Sequence, residues 1–268
     1  GKMTEERGKA AFAALELATQ ELASGKIDVL VTAPISKEAI VKAGFKFPGH
    51  TEYLADLSGE KDALMIMVSS ALKVALVTSH IPLKDVSTAL TREKIVDKIK
   101  AFDQSLRKDF GVIRPKIAVF GVNPHAGENG KMGAEEQEII TPAINAAKNA
   151  DILAFGPYPA DGFFGSNAMK GFDGVLAMYH DQGLAAFKAL AFEEGVNYTA
   201  GLPIVRTSPD HGTAFDIVGK GIASEQSLRS AIYTAMDVFK NRKMHREINA
   251  NPLKSQVRER KREGEEIE

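Results

Sequence analysis

The sequence contains no cysteine. That absence excludes disulfides, thiolate nucleophiles and zinc–thiolate sites, and it is the usage expected of a cytoplasmic protein. No apolar run approaches the roughly 18 residues that span a bilayer, and no secretory signal pattern opens the chain. A surplus of charge is lacking too: 34 Lys and Arg stand against 35 Asp and Glu. Such a balance offers no electrostatic footprint for nucleic acid. No Gly-x-Gly-x-x-Gly follows an expected strand and no P-loop is present, so neither a Rossmann dinucleotide site nor a Walker site is supported. A Gly-x-Ser-x-Gly elbow is missing as well; the nearest run, Gly165-Ser166-Asn167, has no second glycine.

What is present is a chain of 268 residues, 44% hydrophobic, long enough to bury a sizeable core. Helix and strand patterns alternate along it. Thr4 with Glu5 and Glu6 starts a helix that Gly25 suits as a stop. The run 27–33 reads as a strand and 37–42 as a short helix. Further strands are expected over 63–68, 74–78, 116–122, 152–155 and 175–178. Helices are expected over 92–110, 134–147, 182–192 and 224–240, the last with Leu228, Ile232, Met236 and Phe239 on one face. Alternation of this kind indicates an α/β fold with a mostly parallel sheet. Such domains usually open on a strand. A chain opening Gly1-Lys2-Met3 and then a helix pattern therefore points to an upstream segment. The tail from Arg258 to Glu268 is mixed-charge and apolar-poor, the composition of a solvated end.

Of six histidines, three end apolar runs: Val74–His80, Ile117–His125 and Gly174–His180. Apolar runs of this length read as strands buried on both faces. Ligands of open α/β sheets bind beyond the carboxyl ends of strands. Three imidazoles gathered there would make a divalent-metal site with a position open to substrate. Pro48-Gly49-His50-Thr51-Glu52 reads either as a turn whose His50 and Thr51 donate to a phosphate or carboxylate, or as a helix cap. Asp181, beside His180, is open to roles as ligand orienter, base or helix cap. Lys188, Asn197 and Arg206 could clamp a phosphorylated or carboxylated substrate. The dense polar stretch from Thr207 to Gly221 is the most specific in the chain.

These blocks occur in one order: Val31–Lys37, Pro48–Glu52, Asn123–Glu128, Tyr179–Gly183 and Asp210–Thr213. Together they resemble the 4-hydroxythreonine-4-phosphate dehydrogenase family of pyridoxal-phosphate biosynthesis. The resemblance implies a two-lobed α/β/α fold of the isocitrate and isopropylmalate dehydrogenase type. Residues 1–48 with 208–268 would form a first lobe lacking its N-terminal strands, and 49–207 a second lobe. It implies a divalent metal (zinc, cobalt, nickel, magnesium or manganese) on His80, His125 and His180, and substrate contacts from His50, Thr51, Lys188, Asn197 and Arg206. NAD or NADP is expected against His211, Gly212, Thr213 and Asp216, with Asp181 and Lys188 as candidates for proton transfer. The family's homodimers share histidines between subunits. The implied reaction is oxidation of the phosphorylated amino acid, then decarboxylation. Other readings are a dehydrogenase of phosphothreonate or phosphoerythronate, a three-histidine metal lyase, or an inactive fragment.

Overall fold

The computed structural model describes residues 2–47, 49–59 and 63–252. Pro48 of the His50 block and the charged tail lie outside them. The helices are α1 (Glu5–Ala23), α2 (Lys37–Lys42), α3 (His50–Ser58), α4 (Val86–Ala89), α5 (Arg92–Lys108), α6 (Thr141–Asn149), α7 (Ala160–Phe164), α8 (His180–Ala191) and α9 (Gln226–Ala250). The strands are β1 (Leu30–Val31), β2 (Leu64–Val68), β3 (Lys73–Leu76), β4 (Lys116–Phe120), β5 (Leu153–Tyr158), β6 (Gly174–Ala177), β7 (Val196–Ala200) and β8 (Arg206–Pro209). Local chemistry sets several boundaries. Thr4 Oγ1 accepts from the Arg7 N–H, Ser36 Oγ from Ala39 and Thr91 Oγ1 from Lys94, each capping the helix that follows. Gly25 takes φ +74° just beyond α1, a left-handed value that favours glycine.

All eight strands join one mixed sheet in the order β1-β8-β7-β2-β3-β6-β4-β5. The block β3-β6-β4-β5 is parallel, as are β1 and β8; β2 and β7 run antiparallel to their neighbours. One face packs on α5, whose Ile95, Ile99, Phe102 and Leu106 are fully buried. Gly174 makes that contact possible, since a Cβ there would sit 2.4 Å from Phe102 Cζ. No helix among the described residues is long and apolar enough to cross a membrane.

The fold corrects two expectations and adds two strands. The strand expected over 27–33 contracts to Leu30–Val31, which pairs only with β8. The stretches 196–200 and 206–209 are strands, although polar residues interrupt them. In α9 the buried residues are Ser227, Ala231, Ala235, Val238 and Arg242, whereas Leu228, Ile232 and Met236 stay about 40% exposed. Small residues pack there because the helix lies close on β8: Thr207 Oγ1 donates to the Ala231 carbonyl at 2.8 Å.

Candidate active site

The adjacent parallel strands β3, β6 and β4 end at one edge of the sheet, and their exits are tied together. Val77 N–H donates to the Ala177 carbonyl and Thr78 N–H to that of Met178. Gln182 accepts from Met178 N–H and donates to the Gly121 carbonyl. The imidazoles of His80 and His180 consequently face each other, ring centroids 5.8 Å apart. His180 opens α8, and Asp181 Oδ1 lies 2.7 Å from its Nδ1. With the proton on Nδ1, His180 donates to Asp181 and keeps Nε2 as an acceptor. Asp181 itself is 85% exposed.

A cleft of about 360 Å³ opens beside these rings. Its floor follows from strand alternation. In β2, β7 and β8 the residues Leu64, Ile66, Val196, Tyr198 and Ala200 join the core, leaving Met65, Met67, Asn197, Arg206 and Ser208 to line the cleft. Register lines up Met67, Asn197 and Ser208 across three strands. Residues 180, 184 and 188 lie one helical turn apart, so His180, Leu184 and Lys188 present one face of α8 to the cleft. Gly183 lets α8 approach: a Cβ there would lie 2.8 Å from Val74 Cγ1 and 3.0 Å from Ala177 Cβ. His50, Thr51 and Glu52 enter from the first turn of α3; His211 and Gly212 form the far rim.

Among the described residues two guanidiniums are buried, and their surroundings differ. Arg242 is neutralised by Asp109 at 2.6 Å and donates to Tyr198 Oη and to backbone carbonyls. Arg206, 3% exposed, donates only to hydroxyls among the described residues: Thr32 Oγ1 at 2.7 and 3.1 Å and Thr199 Oγ1 at 3.3 Å. Burial pushes its pKa down to about 10, opposed by the charge of Glu52. A buried cation with no carboxylate in contact is costly, and an anion in the cleft would relieve that cost. Asn197 Oδ1 is buried with no hydrogen-bond partner. Lys188 Nζ meets Asp210 Oδ1 at 3.2 Å. Burial raises the Asp210 carboxyl, and the Lys188 ammonium pulls it back.

Burial, helped by the nearby Arg206 charge, pushes His50 down to about 4. The ring is therefore neutral near pH 7, able to donate one N–H. An unfolded histidine titrates near 6.5, so below that pH the unfolded chain takes the proton first. The folding stability that depends on a neutral His50 is complete above pH 6.5 and is lost as pH falls toward 4. Between pH about 7.5 and about 5, wild type should lose roughly 1–2 kcal/mol more than His50→Gln, a figure reduced for the partly exposed ring. Urea midpoints of both proteins at the two pH values check this; equal losses contradict it.

The site residues expected from sequence thus fall into two groups. His50, Thr51, His80, His180, Lys188, Asn197, Arg206, His211 and Gly212 line one cleft. His125, Asp181, Thr213 and Asp216 do not line it. His125 is exposed on a turn in which residues 125–129 all take left-handed φ, from 42° to 81°. Only Gly127 among them lacks a Cβ, and the left-handed helix costs other residues roughly 1–2 kcal/mol each. Among the described residues, no three His, Cys, Asp or Glu of one chain gather to hold a metal. Sequence reasoning missed Thr32 and Thr199, which hold Arg206, and Asp210, the partner of Lys188. The period-2 polar pattern Asn197, Thr199, then Arg206, Ser208 was the available signal.

Fold and cleft describe an α/β protein whose cleft is lined by a buried guanidinium, an unpartnered amide and two neighbouring imidazoles. Comparison then makes the assignment specific. A family model described as pyridoxal phosphate biosynthetic protein PdxA matches residues 1–235. The 4-hydroxythreonine-4-phosphate dehydrogenase of Bacteroides thetaiotaomicron is 53% identical over 267 residues, which is 99% of this chain and 73% of that protein. The enzyme of the same name from Sulfurihydrogenibium is 46% identical over 91% of this chain and 75% of its own length. A crystal structure of 4-hydroxythreonine-4-phosphate dehydrogenase from Klebsiella pneumoniae superposes with a TM-score of 0.78 at 42% identity, covering 89% of this chain and 73% of that one. The chain belongs to the PdxA family, and with it to the dehydrogenases.

Proposed function

We propose that this chain oxidises 4-phosphooxy-L-threonine with NAD and decarboxylates the product to 3-amino-2-oxopropyl phosphate, on the route to pyridoxal phosphate. The observation that carries the reading is Arg206, a buried cation facing the cleft with only hydroxyls as partners. The substrate phosphate sits against it, with the neutral His50 and Thr51 donating from the first turn of α3. A helix start favours that arrangement, because its N–H groups and dipole attract anions. The unpartnered Asn197 amide accepts a further substrate hydrogen. Substrate carbon 3 then lies toward His80, His180 and Lys188.

The donor set fits a divalent metal. His80 and His180 face each other, and Asp181 fixes the tautomer of His180. The third imidazole is His125 of the partner subunit in a homodimer, since a chain's own His125 does not line its cleft. The exposed loop through His211, Gly212, Thr213 and Asp216 adjoins the cleft, where a nicotinamide cofactor would lie. When bound, the metal supplies Lewis acidity toward the substrate hydroxyl and the nicotinamide supplies the electron acceptor. The Lys188–Asp210 ion pair would take up the proton that the alcohol releases, the ammonium passing one proton to the Asp210 carboxylate as it receives another. The new ketone is β to the carboxylate, so carbon dioxide leaves through an enol that regains a proton at carbon 2. Arg206 and His50 keep the molecule in place throughout.

The test follows NADH absorbance with 4-phosphooxy-L-threonine and with phosphothreonate, before and after a chelator. NADH should form with the first substrate, stop on chelation and return with added zinc, cobalt or manganese. Failure to form NADH, turnover that ignores the chelator, or preference for phosphothreonate would overturn the assignment.

A further inference from the structure

The turn that presents His125 has hydrogen bonds of its own, from Ala126 N–H to the Asn123 carbonyl and from Met132 N–H to that of Gly127, but its backbone is strained. Five consecutive left-handed residues follow Pro124, and four of them carry side chains that disfavour that region. Such a turn persists only where its surroundings over-determine it. What lies beneath it is Glu136, 3% exposed, in a short turn that leads into α6. Its Oε1 accepts the N–H groups of Val122 and Asn123, both at 2.7 Å, and its Oε2 accepts from Asn123 Nδ2 at 3.0 Å. The loop is shaped around this carboxylate at both ends. A Cβ at Gly121 would lie 2.9 Å from Oε1, and one at Gly127 would lie 2.5 Å from Oε2. Behind Glu136, Ile140, Ala143, Ile144 and Ala147 are buried in the core, so the carboxylate is anchored to a rigid element. Among the described residues no Lys, Arg or His forms an ion pair with it. Three N–H donors aimed from the root of the loop occupy it instead.

We infer that Glu136 is the positioning residue for His125: its carboxylate fixes the left-handed turn so that the imidazole projects outward, where a second copy of the chain can use it. The inference rests on the reading that the partner's cleft takes His125 as a metal ligand. Glu136 touches neither substrate nor metal. It acts through Val122 and Asn123 on the direction of a side chain two residues beyond Asn123.

Glu136→Gln keeps the shape and one acceptor oxygen, but turns an NH2 group toward the Asn123 Nδ2 donor. Titration of the full chain with Co2+, followed by visible absorbance, should show Glu136→Gln binding roughly tenfold to a hundredfold more weakly than wild type, as for other residues that orient metal ligands. Its affinity for inorganic phosphate, a property of Arg206, should be unchanged. His125→Ala is the control for the underlying reading and should lose Co2+ more completely. Gly127→Ala pushes a methyl against Glu136 and serves if Glu136→Gln does not fold; it should show the same selective loss. Wild-type Co2+ affinity in Glu136→Gln, or in Gly127→Ala where that variant must stand in, with His125→Ala impaired, overturns the inference and spares the ligand assignment. Wild-type affinity in His125→Ala overturns the ligand assignment itself and the inference with it. Parallel loss of Co2+ and phosphate binding in the tested variant also overturns it, since that marks general unfolding.

Discussion

Arg206→Met is expected to raise the KM for the phosphorylated substrate by about two to three orders of magnitude, with a smaller effect on kcat. Removing one member of a buried, hydrogen-bonded charge pair costs about 2–5 kcal/mol, and each 1.4 kcal/mol is tenfold. The estimate applies because, among the described residues, no carboxylate hydrogen-bonds Arg206, although the Glu52 charge acts on it. Its donors reach Thr32 and Thr199, so a ligand phosphate would be the opposite charge in direct contact with it. Arg206→Lys should restore little, since a point charge cannot reproduce the planar fork while also holding two threonine hydroxyls. The two effects separate in the data. Steady-state kinetics should show the KM change, and inorganic phosphate should no longer raise the melting temperature of the variant. A KM within threefold of wild type would mean that the phosphate sits elsewhere. Arg242 offers the contrast: it is buried too, but Asp109 already neutralises its charge and Tyr198 accepts from it.

Much of this site was legible in the sequence because its chemistry sits at strand exits and helix starts. Apolar runs ending in histidine marked β3, β4 and β6, and the Thr4 cap marked α1. What escaped were elements whose pattern is set by the cleft. In β7 and β8, Asn197, Thr199, Arg206 and Ser208 alternate with core residues, so each strand looks like a polar loop. The α9 helix misled in the opposite sense. Its larger apolar residues point outward, because close approach to β8 demands alanine at 231 and 235. The left-handed turn at His125 left no trace beyond Gly127, since its cause is a carboxylate eleven residues downstream of the histidine. Local sequence does not encode a contact of that kind.

In the proposed function that turn also decides how the catalytic site is assembled. His80 and His180 meet within one chain, whereas His125 stands on an exposed surface outside the cleft. In the homodimer proposed above, two-fold symmetry would have each cleft borrow the histidine of the other chain. His180→Ala destroys the cleft half of the site, and His125→Ala destroys the borrowed half. Each homodimer alone should show no metal-dependent turnover. A heterodimer of the two variants contains one cleft with intact His80 and His180 facing an intact His125, and one cleft with both defects. Purified through two different affinity tags, that heterodimer should turn over at about half the wild-type rate per dimer. A heterodimer as inactive as its parents would contradict a site shared between two copies of this chain.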